Sequence, residues 1–343
     1  MEDNTLSLRK KAELICSGRI SVPPGTKIPF PTSRSAAGPG AGGESIVIAF
    51  SGRRVKIEVD RNCASDLELR QVGKGGYEVL RGGEVFVTDV RIVPTLCHAP
   101  DQAFVCLGRS CRMGCLYCNI DSAGKQELTV QKAFDLIVAS SKHGKIGGIA
   151  VTSGVTSTVE EQVEDVAALI ARVKRAFPKL KVGAEPLITS RDQLVKLRKA
   201  GADEIKVNLE AARGDIFRMV CPNRDFDLTI ESIGWASEIF GRGAVTSNII
   251  VGFGEEDSDV ENAVSMLADM GSVANIRRLR LNDANRPRLE KALGPLTPVD
   301  QERLVALGRR HAETLRKNGL SPRKFETMCF PCASCDIVPD VDL

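Results

Sequence analysis

Aromatic residues are scarce in this chain of 343 residues, in which phenylalanine, tyrosine and tryptophan together make up 4%. Stacking platforms for the bases of single-stranded nucleic acid are therefore not expected. An excess of one charge is also missing, because 47 lysines and arginines stand against 44 aspartates and glutamates. We accordingly expect neither nucleic acid nor an acidic membrane surface as a partner.

Long apolar segments are absent as well. No run approaches the roughly 20 apolar residues that a membrane-spanning helix needs. The N-terminal segment MEDNTLSLRKK has no apolar signal region. Hydrophobic residues nevertheless make up 43% of the chain, which is enough for a sizeable core. These features predict a folded, cytoplasmic protein of about two domains.

Cysteine is the residue that the chain has in excess, with eleven copies. Cytosolic thiols stay reduced, so cysteines there more often bind metals or take part in catalysis than form disulfides. We interpret Cys16, Cys63, Cys97 and Cys221 as structural. The other seven fall in two short stretches: Cys106, Cys111, Cys115 and Cys118, then Cys329, Cys332 and Cys335.

Residues 1–95 predict a small, mainly β N-terminal domain. A short helix is expected from Leu6 to Ser17, followed by a loop rich in proline and glycine. Apolar runs then alternate with turn signals, as expected for antiparallel hairpins. These runs are SIVIAF, RVKIEV, GYEVL and EVFVTDVRIV.

Strands and helices alternate across residues 96–296. Short apolar strands, such as residues 181–185 and 204–210, alternate with segments of helical periodicity, such as residues 159–177 and 191–200. Six such units predict an α/β fold, a partial (β/α)6 TIM-like barrel with its reactive face at the C-terminal ends of the strands.

Residues 297–343 predict a final helix and a cysteine-rich tail. Thr297 is the expected N-cap, with Pro298 at the first helical position, and Asn318-Gly319 ends the helix. We expect the tail to fold back over the mouth of the barrel.

The first cysteine motif, Cys111-x3-Cys115-x2-Cys118, follows the first barrel strand directly. Three such thiolates can hold three irons of a [4Fe–4S] cluster, which leaves the fourth iron open to a chelating ligand. The amino and carboxylate groups of S-adenosylmethionine (SAM) can act as that ligand, and reductive cleavage of SAM yields a 5′-deoxyadenosyl radical. Structural zinc normally takes four ligands, so zinc suits this motif less well.

This motif, with Tyr117 before its third cysteine, resembles the signature of the radical SAM superfamily, and the barrel resembles biotin synthase and lipoyl synthase. The resemblance implies a radical SAM barrel in which Tyr117 contacts the cofactor. The segment GGIAVTSGVT is similar to the SAM-contacting second strand of lipoyl synthases. That similarity implies Thr152, Ser153 and Gly154 as contacts of the methionine end of SAM.

Two further segments carry the resemblance. Asn208-Leu-Glu210 looks like the element whose polar ends hold the SAM ribose in both families. The stretch IVGFGEE, which begins at Ile250, looks like the strand that lines the adenine, and this implies Ile250, Gly252 and Gly254 as contacts. Glycines allow a ligand to approach the backbone closely.

The second cysteine motif, Cys329-x2-Cys332-x2-Cys335, lies close to the C-terminus. We interpret it as the binding site of an auxiliary [4Fe–4S] cluster that is either a sulfur source or an electron carrier. A zinc knuckle is the alternative. A fourth ligand could come from an exogenous molecule or from Cys97, His98, Cys106 or Ser334, although Cys106 is favoured as a small core residue.

The resemblance implies a sulfur-insertion enzyme similar to the archaeal-type, two-protein lipoyl synthases. The expected substrate is an octanoylated (lipoyl) carrier protein or a small molecule, the expected electron donor is reduced ferredoxin or flavodoxin, and a second radical SAM protein is a further expected partner. Because the radical removes hydrogen, no protein base is expected and no catalytic residue is assigned. The alternatives are another radical SAM enzyme (methyltransferase, lyase or metallocofactor maturase) and an iron–sulfur scaffold or redox sensor.

Overall fold

The computed structural model describes residues 4–35, 38–73, 75–123, 128–143 and 146–343. The helices in these ranges are α1 (Asn4–Ser17), α2 (Val130–His143), α3 (Val159–Ala176), α4 (Arg191–Ala200), α5 (Gly214–Val220), α6 (Phe226–Phe240), α7 (Asp257–Asp269), α8 (Arg286–Leu293), α9 (Gln301–Lys317) and α10 (Cys329–Cys332).

The strands belong to two sheets. The first sheet contains β1 (Arg19–Ser21), β2 (Ser33–Arg34), β3 (Glu44–Phe50), β4 (Arg53–Asp60), β5 (Leu67–Val72), β6 (Gly76–Arg81) and β7 (Glu84–Val93). The second contains β8 (Gln102–Cys106), β9 (Gly148–Thr152), β10 (Lys181–Glu185), β11 (Glu204–Lys206), β12 (Val245–Val251) and β13 (Ser272–Arg278).

The N-terminal sheet closes into a small barrel. Its strand order is β2-β3-β4-β1-β5-β6-β7, and β7 pairs again with β3, which places Val47 opposite Val93. The predicted hairpins β3–β4 and β6–β7 are antiparallel, whereas strand β1, which was not predicted, runs parallel to both β4 and β5. A strand of three residues is too short to show an alternating pattern, which is why the sequence did not reveal β1.

The second sheet is the predicted partial barrel. Its six strands are all parallel and follow the chain order from β8 to β13. No pairing joins β8 to β13 within the described residues, so the barrel is open on that side. All seven residues of β12 are buried, as is typical of a parallel strand covered on both faces.

Three local features differ from the sequence prediction. Strand β11 ends at Lys206 rather than near Glu210, which has a left-handed backbone (φ 66°) that an extended strand cannot contain. Helices α5 and α8 were not predicted. Helix α9 is capped by Asp300, whose carboxylate accepts a hydrogen bond from the Arg303 amide, and not by Thr297.

The C-terminal tail enters the barrel interior instead of covering its mouth. A Cβ atom added to Gly148 of β9 would lie 2.5 Å from the Glu326 oxygen, and one added to Gly183 of β10 would lie 2.2 Å from the Thr327 Oγ1 atom. At the level of Gly148, Gln102 of β8 donates to the Met328 oxygen and accepts from its amide. Glycine at these two positions therefore makes room for the tail.

Candidate functional site

The first cysteine motif forms a loop at the C-terminal end of β8. The Leu116 amide donates to the Val220 oxygen at 2.8 Å, and this bond docks the loop on the end of α5. The Val155 amide lies 3.4 Å from the Cys111 sulfur and points a donor at it. The three cysteines form no disulfide, so all three sulfurs can serve as ligands.

Ser153 and Gly154 hold this loop against the end of β9. The Gly108 amide donates to Ser153 Oγ, and the Gly154 amide donates to the Gly108 oxygen, each at 2.9 Å. A Cβ atom at Gly154 would lie 2.3 Å from the Ser110 oxygen, so only glycine permits this approach. The two residues predicted to contact SAM thus contact the cysteine loop, while their neighbour Thr152 lines the central cavity.

Cys221 lies against the first cysteine motif. It is completely buried at the end of α5, and its thiol forms a hydrogen bond with Cys115. That hydrogen bond lowers the pKa of Cys115 to about 7, although burial acts in the opposite direction. Cys221 therefore packs as predicted, but it packs on a cysteine of the motif.

One cavity of about 670 Å³ connects the two cysteine motifs. It opens at the C-terminal ends of the barrel strands, where the fold predicts the reactive face. The predicted site residues in its lining are Tyr117, Cys118, Thr152, Asn208, Glu210, Ile250, Cys329, Cys332 and Cys335. Residues that are more than half of the chain length apart in sequence thus line the same cavity.

Asn208 and Glu210 are both held in place by neighbouring side chains. Asn208 Nδ2 donates to Glu185 Oε1 at 2.8 Å. Glu210 is paired with Arg224 at 3.0 Å, and both side chains are almost completely buried. Arg224 also donates to the Asn208 oxygen, so a single guanidinium fixes both ends of the element that resembles a ribose-binding motif.

Gly252 and Gly254 lie outside the described lining of the cavity. The Gly252 and Phe253 amides donate to the buried Glu255 carboxylate, which Arg303 neutralises at 3.0 Å. A Cβ atom at Gly252 would contact Val299, so this glycine faces the packed core. Of the predicted adenine contacts, Ile250 alone lines the cavity among the described residues.

Cations and carboxylates surround the second cysteine motif. Lys206 Nζ lies 3.4 Å from Cys329 Sγ, and Arg277 Nη1 lies 3.9 Å from the same sulfur. Glu185 pairs with Lys206 at 3.2 Å, and Asp336 pairs with Arg277 at 3.2 Å. Two positive charges therefore lie beside one sulfur of the second motif.

All four protein candidates for a fourth ligand line the cavity: Cys97, His98, Cys106 and Ser334. His98 has a ring nitrogen 2.9 Å from Lys56 Nζ, and burial followed by the charge of Lys56 keeps its pKa well below the usual range. Burial raises the pKa of Cys106 to about 12, which keeps that thiol neutral. The Ser334 hydroxyl donates to the Cys332 oxygen at 2.9 Å.

The donor set fits iron–sulfur clusters better than a single metal ion. Within the described residues, no three Cys, His, Asp or Glu side chains converge closely enough to ligate one ion. A cubane cluster separates its ligand sulfurs more widely and takes thiolates by preference. The first motif offers three free thiols on one loop, and the second offers three more, of which Cys329 lies beside Lys206 and Arg277.

The comparison with protein families decides the identity of the barrel. The family described as the radical SAM superfamily matches residues 105–267, which run from β8 into α7 and include the first cysteine motif. These residues form a radical SAM domain. Members of this superfamily are enzymes that use a [4Fe–4S] cluster and SAM, together with a reductant and a substrate.

Solved structures similar to this radical SAM protein include two [FeFe]-hydrogenase maturases named HydG. The one from Carboxydothermus hydrogenoformans is 14% identical, with a TM-score of 0.53, over 63% of this chain and 52% of that chain. The other is 18% identical, with a TM-score of 0.53, over 69% and 54%. The chain therefore spans about half the length of these maturases, and the likeness establishes the fold alone.

A methylornithine synthase is also similar, with 15% identity and a TM-score of 0.49 over 63% of this chain and 68% of that chain. The comparison with curated proteins found no match. None of the described helices has both the length and the apolar character that crossing a membrane would require.

Sequence reasoning missed several residues of the site, above all Lys206, Arg224 and Asp336. Alternation along β11 could have revealed Lys206, because Ile205 and Val207 belong to the hydrophobic core while Glu204 and Lys206 face the barrel interior. Arg224 and Asp336 lie in loops that carry no periodic signal, so only the tertiary structure identifies them.

Proposed function

We propose that this radical SAM protein inserts sulfur at unactivated C–H bonds of a protein-bound octanoyl chain, in the manner of a lipoyl synthase. Cys111, Cys115 and Cys118 would hold the SAM cluster. Cys329, Cys332 and Cys335 would hold an auxiliary [4Fe–4S] cluster as the sulfur source. Reduced ferredoxin or flavodoxin would supply the electron, and a second radical SAM protein would act on the other carbon of the chain.

The observation that carries the proposal is the shared cavity. A bound SAM would present its 5′ carbon to the substrate after reductive cleavage, and a sulfur donor must lie close to the carbon that loses hydrogen. Cys118 and Glu210 line one part of the cavity, and Cys329 and Cys335 line another. A substrate between them would be within reach of both clusters.

The lining of the cavity also suits an acyl chain. Apolar side chains extend from Leu136, which is partly exposed on α2, through Leu128 and Val105 to Met328. No charged group is needed to recognise a saturated chain, since burial of its methylene groups provides about 0.8 kcal/mol each. The octanoyl group is uncharged and therefore fits this side of the cavity.

The residues of the chain have separate tasks in this proposal. Arg224 orients Glu210 and Asn208 for the hydroxyl groups of the SAM ribose. Lys206 and Arg277 balance the negative charge of the C-terminal thiolates. The walls of the cavity would keep competing hydrogen donors away from the radical.

The experiment begins with anaerobic reconstitution using isotopically labelled sulfide and a count of iron and sulfide. The protein then receives SAM, dithionite and an octanoylated carrier domain. We expect about eight irons per chain, in keeping with two four-iron clusters. We also expect 5′-deoxyadenosine and thiolated carrier that contains the labelled sulfur.

Two matched triple variants distinguish the roles of the two proposed clusters. Replacing Cys329, Cys332 and Cys335 by alanine should leave about four irons and SAM cleavage but no thiolated carrier. The same change at Cys111, Cys115 and Cys118 should abolish SAM cleavage.

Each contrary result favours an alternative. About four irons in the wild-type protein would refute the auxiliary cluster. SAM cleavage without sulfur transfer would support electron transfer by the second site, and the absence of any SAM cleavage would support a scaffold or sensor.

A further inference from the structure

A completely buried lysine of the N-terminal domain forms hydrogen bonds with the C-terminal tail. Lys11 of α1 has its Nζ atom 2.8 and 2.7 Å from the two carboxylate oxygens of Asp342. The same ammonium donates a hydrogen bond of 2.6 Å to the backbone oxygen of Ala333. Ala333 lies between the second and third cysteines of the second motif. Lys11 therefore joins the end of the tail to the middle of that motif.

Strand β4 of the N-terminal domain adds two further contacts to the tail. Arg53 donates to the Asp342 backbone oxygen at 2.7 Å and lies 3.2 Å from its Oδ1 atom. The Lys56 amide donates to the Ser334 oxygen at 2.6 Å. The N-terminal domain thus holds both ends of residues 333–342.

These contacts exist only when the N-terminal domain and the tail are together, because Lys11 and Asp342 are 331 positions apart. Charges that are buried with their partners are tolerated, whereas removing one partner leaves the other charge buried and uncompensated. The Asp342 carboxylate accepts hydrogen bonds from Lys11, Arg53 and the Val338 backbone amide, and only the Val338 amide belongs to the tail itself.

We propose that the N-terminal domain is a clamp that holds the second cysteine motif inside the barrel, with Lys11 as its positioning residue. The identity of what those cysteines bind rests on the proposed function, whereas the position of the tail does not. The clamp assigns a role to residues 4–60, which lie outside the part of the chain that matches the superfamily.

The test compares Lys11→Met and Asp342→Asn with Glu13→Gln, which removes an ion pair on the same helix. Glu13 pairs with Arg81 of the N-terminal sheet, and no hydrogen bond or ion pair described for it reaches the tail. Hydrogen–deuterium exchange of the full-length, reconstituted protein is followed in peptides from residues 325–343 and in peptides from the barrel, and the iron count is measured on the same samples.

We expect Lys11→Met and Asp342→Asn to raise exchange in the tail by about tenfold or more, while the barrel peptides stay protected. Both variants should fall from about eight irons to about four and keep SAM cleavage. Glu13→Gln should match the wild type in both measurements.

Unchanged tail exchange in Lys11→Met and Asp342→Asn would overturn the clamp. Loss of protection across the barrel, or of both clusters, would also overturn it, since the pair would then serve the whole fold. About four irons in the wild type would instead refute the proposed function and leave the exchange data to decide the clamp.

Discussion

The ammonium nitrogen of Lys206 lies 3.4 Å from the sulfur of Cys329, although 123 positions separate the two residues. Lys206 is only 2% exposed, and burial alone would lower its pKa. The Cys329 sulfur and the Glu185 carboxylate more than offset burial and raise that pKa above its ordinary value. A full positive charge therefore lies next to the second cysteine motif.

Replacing Lys206 by methionine should make the proposed C-terminal cluster harder to reduce. Loss of a nearby positive charge destabilises the more negative, reduced state. We expect the reduction potential of that cluster to fall by roughly 60 mV, which corresponds to about 1.4 kcal/mol for one electron. Potentiometric titration followed by electron paramagnetic resonance measures the change.

The SAM cluster provides an internal control for this titration, and its reduction potential should stay unchanged. The described contacts of Lys206 are with Glu185 and with Cys329 of the second motif. Lys206→Arg keeps the charge and should shift the potential much less. An unchanged potential in Lys206→Met would show that the lysine does not act on a cluster.

Replacing Glu210 by glutamine should weaken SAM binding. The neutral amide accepts hydrogen bonds from ribose hydroxyls less strongly than the carboxylate, and hydrogen bonds to charged groups contribute roughly 1.5–3 kcal/mol. We expect the dissociation constant of SAM to rise about tenfold, measured by equilibrium binding to the reconstituted protein. Iron content should stay at the wild-type value, and equal SAM affinity in the two proteins would rule out a role for Glu210 in SAM binding.

Replacing Gly183 by alanine should displace the tail from the barrel. The added methyl group would lie 2.2 Å from Thr327 Oγ1 and 2.8 Å from Met328 Cε, so the tail must move. Overpacking of this kind typically costs about 1–3 kcal/mol. Thermal unfolding and the iron count should both report the loss.

Gly234→Ala is the matched control for this change. Gly234 lies in the interior of α6 with open space around its Cα, and alanine stabilises a helix by roughly 0.8–1 kcal/mol relative to glycine. The control should therefore unfold at the same temperature as the wild type or higher. A Gly183→Ala protein as stable as the control would contradict the packing of the tail in the barrel.

Protonation of His311 should lower the free energy of unfolding as the pH falls below 6.5. It is buried on α9, neither ring nitrogen has a hydrogen-bond partner among the described residues, and burial lowers its pKa to about 4 from 6.5. The unfolded chain binds a proton near pH 6.5 and the folded chain does not, so stability present above pH 6.5 is lost as the pH falls toward 4.

The expected loss from this histidine is about 1 kcal/mol between pH 7 and pH 5.5. Urea unfolding of the wild type and of His311→Leu at the two pH values measures it. The variant should lose less stability than the wild type over this interval, and an equal loss in both proteins would exclude His311 as the titrating group.

Much of the fold could be predicted because its signals are local. The bounds of β10 and α4 agree with the sequence prediction, since each is a short apolar or periodic segment between clear turn signals. The N-terminal barrel was predicted only in part, because β1 becomes a strand by pairing with β4 and β5 and has no pattern of its own.

The sequence by itself predicted the chemistry of the site. The spacing of Cys111, Cys115 and Cys118 within eight residues predicts a cluster loop, because ligands so close in the chain must also be close in space. The βα alternation identifies the barrel that carries it.

Only the tertiary structure decided how the second cysteine motif meets the first. The tail lies inside the barrel because Gly148 and Gly183 leave room for it and because Lys11 neutralises Asp342. These contacts join residues between 144 and 331 positions apart, and neither periodicity nor spacing in a sequence records which distant charges and gaps will meet.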